Sequence, residues 1–149
     1  MALENDIRDM ARLPIFQEIE QDALRLIAFS AETKILRKGD VLFRRGEESD
    51  SGFFVLSGSF QIESSPQREG ADFVIPAYSL IGEMALLTGT ERPATVTARE
   101  PSTVLKITRA VFHRVLQEHP KSAIRVRASL EGRLARFTGG MKTDPGLLA

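Results

Sequence analysis

The sequence predicts an α+β domain, a small antiparallel barrel or jelly roll with helices before and after it. Residues 3–12 and 18–29 repeat apolar side chains at helical spacing. Between residues 31 and 107 the period falls towards two, and Gly39, Gly46, Gly58 and Gly70 punctuate the stretch. From residue 109 helical spacing returns. Many short strands at close spacing point to a barrel or jelly roll rather than an open sheet.

In the first helix Leu3, Ile7 and Met10 recur at i, i+4 and i+7, and Pro14 ends it. A second helix over 18–29 puts Ile19, Ala23, Leu26 and Ile27 on one face. Strands are predicted at 33–36, 41–44, 53–56, 60–63, 72–75, 94–99 and 103–107. Ser57-Gly58, between Phe53–Leu56 and Phe60–Glu63, reads as a hairpin turn. Val111, Val115 and Leu116 mark a helix over 109–118, broken at His119-Pro120. A last helix over 121–137 carries the stripe Ala123, Val126, Leu130, Leu134 and Phe137, with Arg125, Arg133 and Arg136 largely off it. Gly132 weakens that helix by about 1 kcal/mol relative to alanine. Gly139-Gly140 then releases a flexible polar tail over 139–149, leaving 1–138 as the domain.

A chain of 149 residues with 42% apolar content fits one folded domain. The absence of cysteine excludes disulfides, zinc–thiolate sites and cysteine nucleophiles. No apolar run approaches the roughly 18 residues of a membrane span. Met1 to Arg12 carries Glu4, Asp6 and Asp9 and lacks a signal-peptide core, so a soluble cytoplasmic protein is expected. The zero net charge hides an asymmetry: residues 1–98 hold 10 Lys/Arg and 16 Asp/Glu, whereas 99–142 hold 10 Lys/Arg and 3 Asp/Glu. The basic C-terminal third either faces nucleic acid or an acidic partner, or complements the acidic part within a chain or across a dimer. No nucleic-acid motif accompanies it.

Catalytic candidates are thin. His113 and His119 lack a third ligand at metal-site spacing. The serines have no nucleophile-elbow context, and there is neither a Walker loop nor a credible pair of catalytic carboxylates. An enzyme is not expected, nor is a metal or cofactor.

The run 81–96 is different. Gly82 lets backbone approach a ligand closely, having no Cβ. Glu83 offers a carboxylate to sugar hydroxyls, and 83–88 can start a short helix whose first amides face outward. Arg92 can fold back onto the same anion with its planar fork of donors. Taken singly, each residue has a plainer reading: a turn glycine, a first-turn acid, and an arginine paired with Glu83 or Glu91.

Taken together, the run resembles the phosphate-binding cassette of cyclic nucleotide-binding domains, roughly Phe-Gly-Glu-x-Ala-Leu, a short loop, then Arg-x-Ala-Thr-Val. Gly82, Glu83, Ala85, Leu86, Arg92, Ala94, Thr95 and Val96 match it. The likeness extends to Leu13-Pro14-Ile15-Phe16, to Gly39-Asp40-x-Leu42-Phe43-Arg44-x-Gly46, and to Asp50 with Phe53-Phe54-Val55-Leu56-Ser57-Gly58. It covers about residues 10 to 138 and is also similar to the N-terminal half of Crp/Fnr-type regulators.

The resemblance implies an eight-stranded β jelly-roll barrel flanked by N-terminal helices and a C-terminal helix pair. It implies a cyclic nucleotide bound by Gly82, Glu83, Met84, Ala85, Arg92, Pro93, Ala94 and Thr95. Arg92 would neutralise the phosphate, the turn amides solvate its oxygens, and Glu83 hold the ribose 2′-hydroxyl. Val74, with Leu130 or Leu134, would contact the base. The helix over 121–137 would close over the base or pair with its twin in a homodimer, though its stripe equally suits a helix packed on its own barrel. Pro93 stands where relatives often carry Ala, Ser or Thr; it has no N–H, which removes a phosphate donor used in the family, and no hydroxyl, which favours cAMP over cGMP. Tyr78-Ser79 replaces a frequent Gly-Asp, and Tyr78 would cover the pocket mouth or pack on the barrel. A Crp/Fnr regulator needs a helix-turn-helix after the dimer helix. Thr138 to Ala149 is too short for one, so direct nucleic-acid binding is not expected of this chain. The alternatives are the sensor part of such a regulator, and a ligand-free interaction module of the same fold.

Overall fold

The computed structural model describes residues 2–63 and 73–138, with side chains described over 4–63 and 73–129. The N-terminal segment folds as α1 (Ala2–Met10), α2 (Pro14–Gln17) and α3 (Gln21–Ser30). Pro14 does not end a helix; it opens α2 at the first helical position, where its fixed φ is an advantage and its missing N–H costs nothing. The helix expected over 18–29 begins at Gln21, after a break at Glu18 to Glu20.

Among the described residues eight strands follow: β1 (Glu32–Leu36), β2 (Val41–Phe43), β3 (Ser51–Ser57), β4 (Phe60–Ile62), β5 (Phe73–Ile75), β6 (Leu80–Ile81), β7 (Val96–Ala98) and β8 (Ser102–Thr108). They form two four-stranded sheets, β1-β8-β3-β6 and β2-β7-β4-β5. These pairings are all antiparallel. This is the jelly-roll arrangement the strand spacing predicts, except that Ser57-Gly58 is not a hairpin turn: β3 and β4 lie in different sheets, and the turn carries the chain from one to the other. The strand expected at 94–99 narrows to β7, and β6 adds a two-residue strand. Then come α4 (Arg109–Gln117) and α5 (Pro120–Thr138). Thr108 caps α4, its Oγ1 accepting from the Val111 N–H at 3.2 Å.

Two apolar layers hold the domain together. Phe53, Val55, Val104 and Leu36 from one sheet meet Phe43, Phe60, Ile62, Ile75 and Val96 from the other. On the outer face of the first sheet, Phe54, Leu105 and Ile107 meet Ile15, Phe16, Ile27, Phe112 and Val115 from the helices. This explains the continuous apolar run in β3: both faces of that strand are covered, so alternation is lost.

The start of α5 lies against its own domain. Ser122 and Val126 are buried, and Ser122 Oγ accepts the Glu20 N–H at 2.9 Å. Lys121, Ile124, Arg125 and Arg127 face outward. The side chains of Leu130, Leu134 and Phe137 and the expected tail lie outside the described residues. Among the described residues no helix is long and apolar enough to cross a membrane.

Phe54 is fully buried between sheet and helices. Phe54→Ala is expected to lower the unfolding free energy by about 3–5 kcal/mol in a guanidinium titration. A loss under about 1 kcal/mol would contradict the two-layer core.

Candidate functional site

The run 81–96 leaves β6, makes a left-handed residue at Gly82, and turns through a 3-10 segment, Glu83–Leu86. Gly82 has φ 78° and ψ 38°, a region that opposes any Cβ. A Cβ there would also lie 2.6 Å from Arg92 Nη1. Gly82 is thus required twice, by its backbone and by the guanidinium pressed against it.

Arg92 is 5% exposed. Its Nη2 donates to the Ser51 carbonyl at 2.7 Å. Its Cζ sits 4.1 Å from the centre of the Phe43 ring and 5.6 Å from that of Phe53, a stacked, desolvated cation–π arrangement. Nη1 is buried and has no hydrogen-bond partner among the described residues. Burial pushes the guanidinium pKa down and the Arg109 charge adds to this, while Asp50 and Glu47 oppose it. An arginine still remains protonated at neutral pH. The site therefore presents a buried positive charge with one donor atom unused, beside a glycine.

Backbone bonds fix that geometry. The Arg92 N–H donates to Glu47 O at 2.8 Å, and the Gly46 N–H to Arg92 O at 2.9 Å. Ser49 grips the loop beyond the turn: its N–H donates to Thr90 O at 2.8 Å, and its Oγ accepts from the Thr90 N–H at 3.2 Å.

The expected site residues are brought together unevenly. Gly82, Glu83, Ala85 and Arg92 are buried, Met84, Ala94 and Thr95 are half-buried, and Pro93 is exposed. The turn amides are less available than expected. Ala85 N–H already donates to Gly82 O at 3.0 Å, and those of Leu87 and Thr88 donate to Met84 O at 3.1 and 3.2 Å. Thr95 Oγ1 accepts from the Arg45 N–H at 3.0 Å, so it holds the β2–β3 connection.

Val74 is a correction. It pairs with Gln61, and Gln61 with Thr97, whereas the buried Phe60, Ile75 and Ala98 form the neighbouring row. Alternation along the strands therefore puts Val74 on the outer face, away from the layer that carries Phe43 and Arg92. Leu130 and Leu134, the other expected base contacts, lie outside the described side chains. Tyr78 is 53% exposed with φ 67°, its N–H donating to Val55 O at 2.7 Å. Burial does not account for that unfavourable backbone.

Three supporting residues are not evident from the sequence. Ser51 supplies only its carbonyl, which no side-chain pattern reveals. Gly52 lets β3 approach the turn: a Cβ there would come 3.3 Å from Gly82 O. A glycine interrupting a strand pattern is the signal that could have found it. Arg109 reaches the turn from the start of α4.

Gly82→Ala is expected to cost about 1–2 kcal/mol for the left-handed backbone alone, and more if Arg92 is displaced. Chemical denaturation reads this directly; an unchanged midpoint would contradict the close packing of Gly82 on Arg92.

Comparison with known proteins agrees with this geometry. The sequence matches the cyclic nucleotide-binding domain over residues 33–119. It is 28% identical over 127 residues to a putative potassium channel protein of Rhodopseudomonas palustris, covering 85% of this chain and 31% of that one. The chain thus spans about a third of that relative's length. Among solved structures, a cyclic nucleotide-binding-like protein from Brucella abortus is 29% identical with a TM-score of 0.67, covering 76% of this chain and 98% of the other. The N-terminal domain of a transcriptional regulator from Streptomyces coelicolor shares the fold at 24% identity and a TM-score of 0.78, covering 91% and 96% of the two chains. The cradle around Arg92 and the family match over most of the sheets agree: this chain belongs to the cyclic nucleotide-binding domain family.

Proposed function

We propose that the chain is a sensor or regulatory domain whose ligand is a cyclic nucleotide, cAMP in preference to cGMP. The observation that carries this is the buried, unpartnered Nη1 of Arg92 beside Gly82. A buried charged donor without an acceptor costs stability, and a phosphodiester oxygen would supply the missing partner. One charge-assisted bond of this kind contributes about 1.5–3 kcal/mol. Glu83, buried next to Gly82, is the residue that would take the ribose 2′-hydroxyl. With Val74 turned outward, the base would rest on residues other than that one.

Binding, not bond-making, is the role this reading assigns. Its output would be a shift of α4 and α5, acting on a partner or on a second copy through 121–137; Lys121, Ile124, Arg125 and Arg127 at the start of that stretch are exposed. A ligand achieves this only by binding two arrangements with different affinity. The similarity to a putative channel protein and to a regulator's N-terminal domain supports a regulatory output of that sort.

Isothermal titration with cAMP and cGMP tests the reading. Saturable cAMP binding is expected, weaker for cGMP. Arg92→Ala is expected to weaken cAMP by about tenfold to a hundredfold, the equivalent of one charge-assisted bond. No saturable binding of either nucleotide at millimolar concentration, with Arg92→Ala behaving identically, would overturn it. A second reading, a ligand-free interaction module, is favoured by two facts: Pro93 offers no amide, and the Ala85 amide is engaged within the turn. A thermal-shift panel separates the two, since a ligand at 100 times its Kd stabilises the fold by about 2.7 kcal/mol.

A further inference from the structure

Arg109 is the first residue of α4, and it makes three bonds to two parts of the cradle's support, the 49–51 segment and the 3-10 turn. Its backbone N–H donates to Asp50 O at 2.7 Å. Its Nη1 donates both to Ser49 O at 3.0 Å and to Ala85 O at 3.1 Å. Ala85 belongs to the 3-10 turn, and Ser49 is the residue that holds Thr90 in the same loop. Gly89 lies beside it: a Cβ there would be in ordinary contact with Arg109 Nη2, at 3.4 Å. The guanidinium thus lies along the inner side of the 82–92 loop, while its own backbone begins the helix that leaves the sheets.

The two arginines divide the 49–51 segment between them. Arg92 takes the Ser51 carbonyl from the ligand side, and Arg109 takes the Ser49 carbonyl from the helix side. A carbonyl of a 3-10 turn that accepts from a charged donor is held more firmly than one facing water. A displacement of the turn stretches the Ala85 bond or draws the Arg109 side chain after it, and that side chain stands on the first turn of α4.

We infer that Arg109 is a positioning residue that ties the ligand-holding turn to α4, so that occupancy of the cradle is transmitted to the helix pair through this side chain. The transmission part rests on the nucleotide reading above; the tie itself does not.

Amide hydrogen exchange tests both parts on the full chain, comparing wild type, Arg109→Ala and Arg109→Lys, each first shown to melt cooperatively. Without ligand, Arg109→Ala is expected to speed exchange at Leu87 and Thr88, whose amides close the turn, about tenfold or more relative to Val55 in the sheet. Arg109→Lys should recover part of that protection, because lysine keeps a charged donor. Unchanged exchange at Leu87 and Thr88 in Arg109→Ala would overturn the tie. With saturating cAMP, wild type is expected to slow at both 83–88 and 109–117, and Arg109→Ala at 83–88 alone. Equal slowing of 109–117 in both proteins would overturn the transmission. If cAMP slows neither segment in wild type, the nucleotide reading fails and the ligand-free comparison still decides the tie. Should Arg109→Ala not fold, Arg109→Gln replaces it in both comparisons with the same expected outcomes.

Discussion

A guanidinium 5% exposed to solvent is a costly thing to place inside a small domain, and the surrounding structure is arranged around Arg92. Phe43 and Phe53 provide the ring faces beneath it, and the Ser51 carbonyl takes one of its nitrogens. Asp50 and Glu47 lie close enough to favour its charged form. Gly82 holds a left-handed backbone that opposes any Cβ, and a Cβ there would lie 2.6 Å from Nη1. These contacts offset part of the burial and leave one donor atom, Nη1, without a partner among the described residues. A domain that only needed stability would be better served by an apolar residue of similar size at this position.

The same constraint depends on the two-sheet architecture. Phe43 and Phe53 come from opposite sheets, so the aromatic floor under Arg92 exists only when the sheets are packed face to face. The 49–51 segment enters β3 from the loop side and supplies backbone carbonyls to Arg92 and Arg109. Backbone acceptors suit both arginines, because they carry no titratable group. Stability of the fold and geometry of the cradle therefore rest on the same short stretch of chain.

Much of this is legible in the sequence where chemistry is local. Gly82, Glu83 and Arg92 announce themselves by residue type and spacing, and the strands by short apolar segments between glycines. What is not legible depends on partners distant in sequence. Ser51 acts through its carbonyl, 41 residues from Arg92. Arg109 reads as one more helix-start arginine until its 24-residue reach back to Ala85 is seen. Val74 is misplaced from sequence because the face of a strand is set by register, and one residue inverts it. Pro14 reads as a stop because a proline between two helical patterns looks the same whether it ends one helix or begins the next.

The spare nitrogen of Arg92, on this account, exists to meet a phosphate. A crystal structure of the protein grown with cAMP tests that claim most directly. The expected result is a phosphate oxygen about 3 Å from Arg92 Nη1, with Nη2 still on Ser51 and Gly82 still left-handed. A nucleotide bound elsewhere on the domain, with Nη1 of Arg92 unchanged, would contradict it.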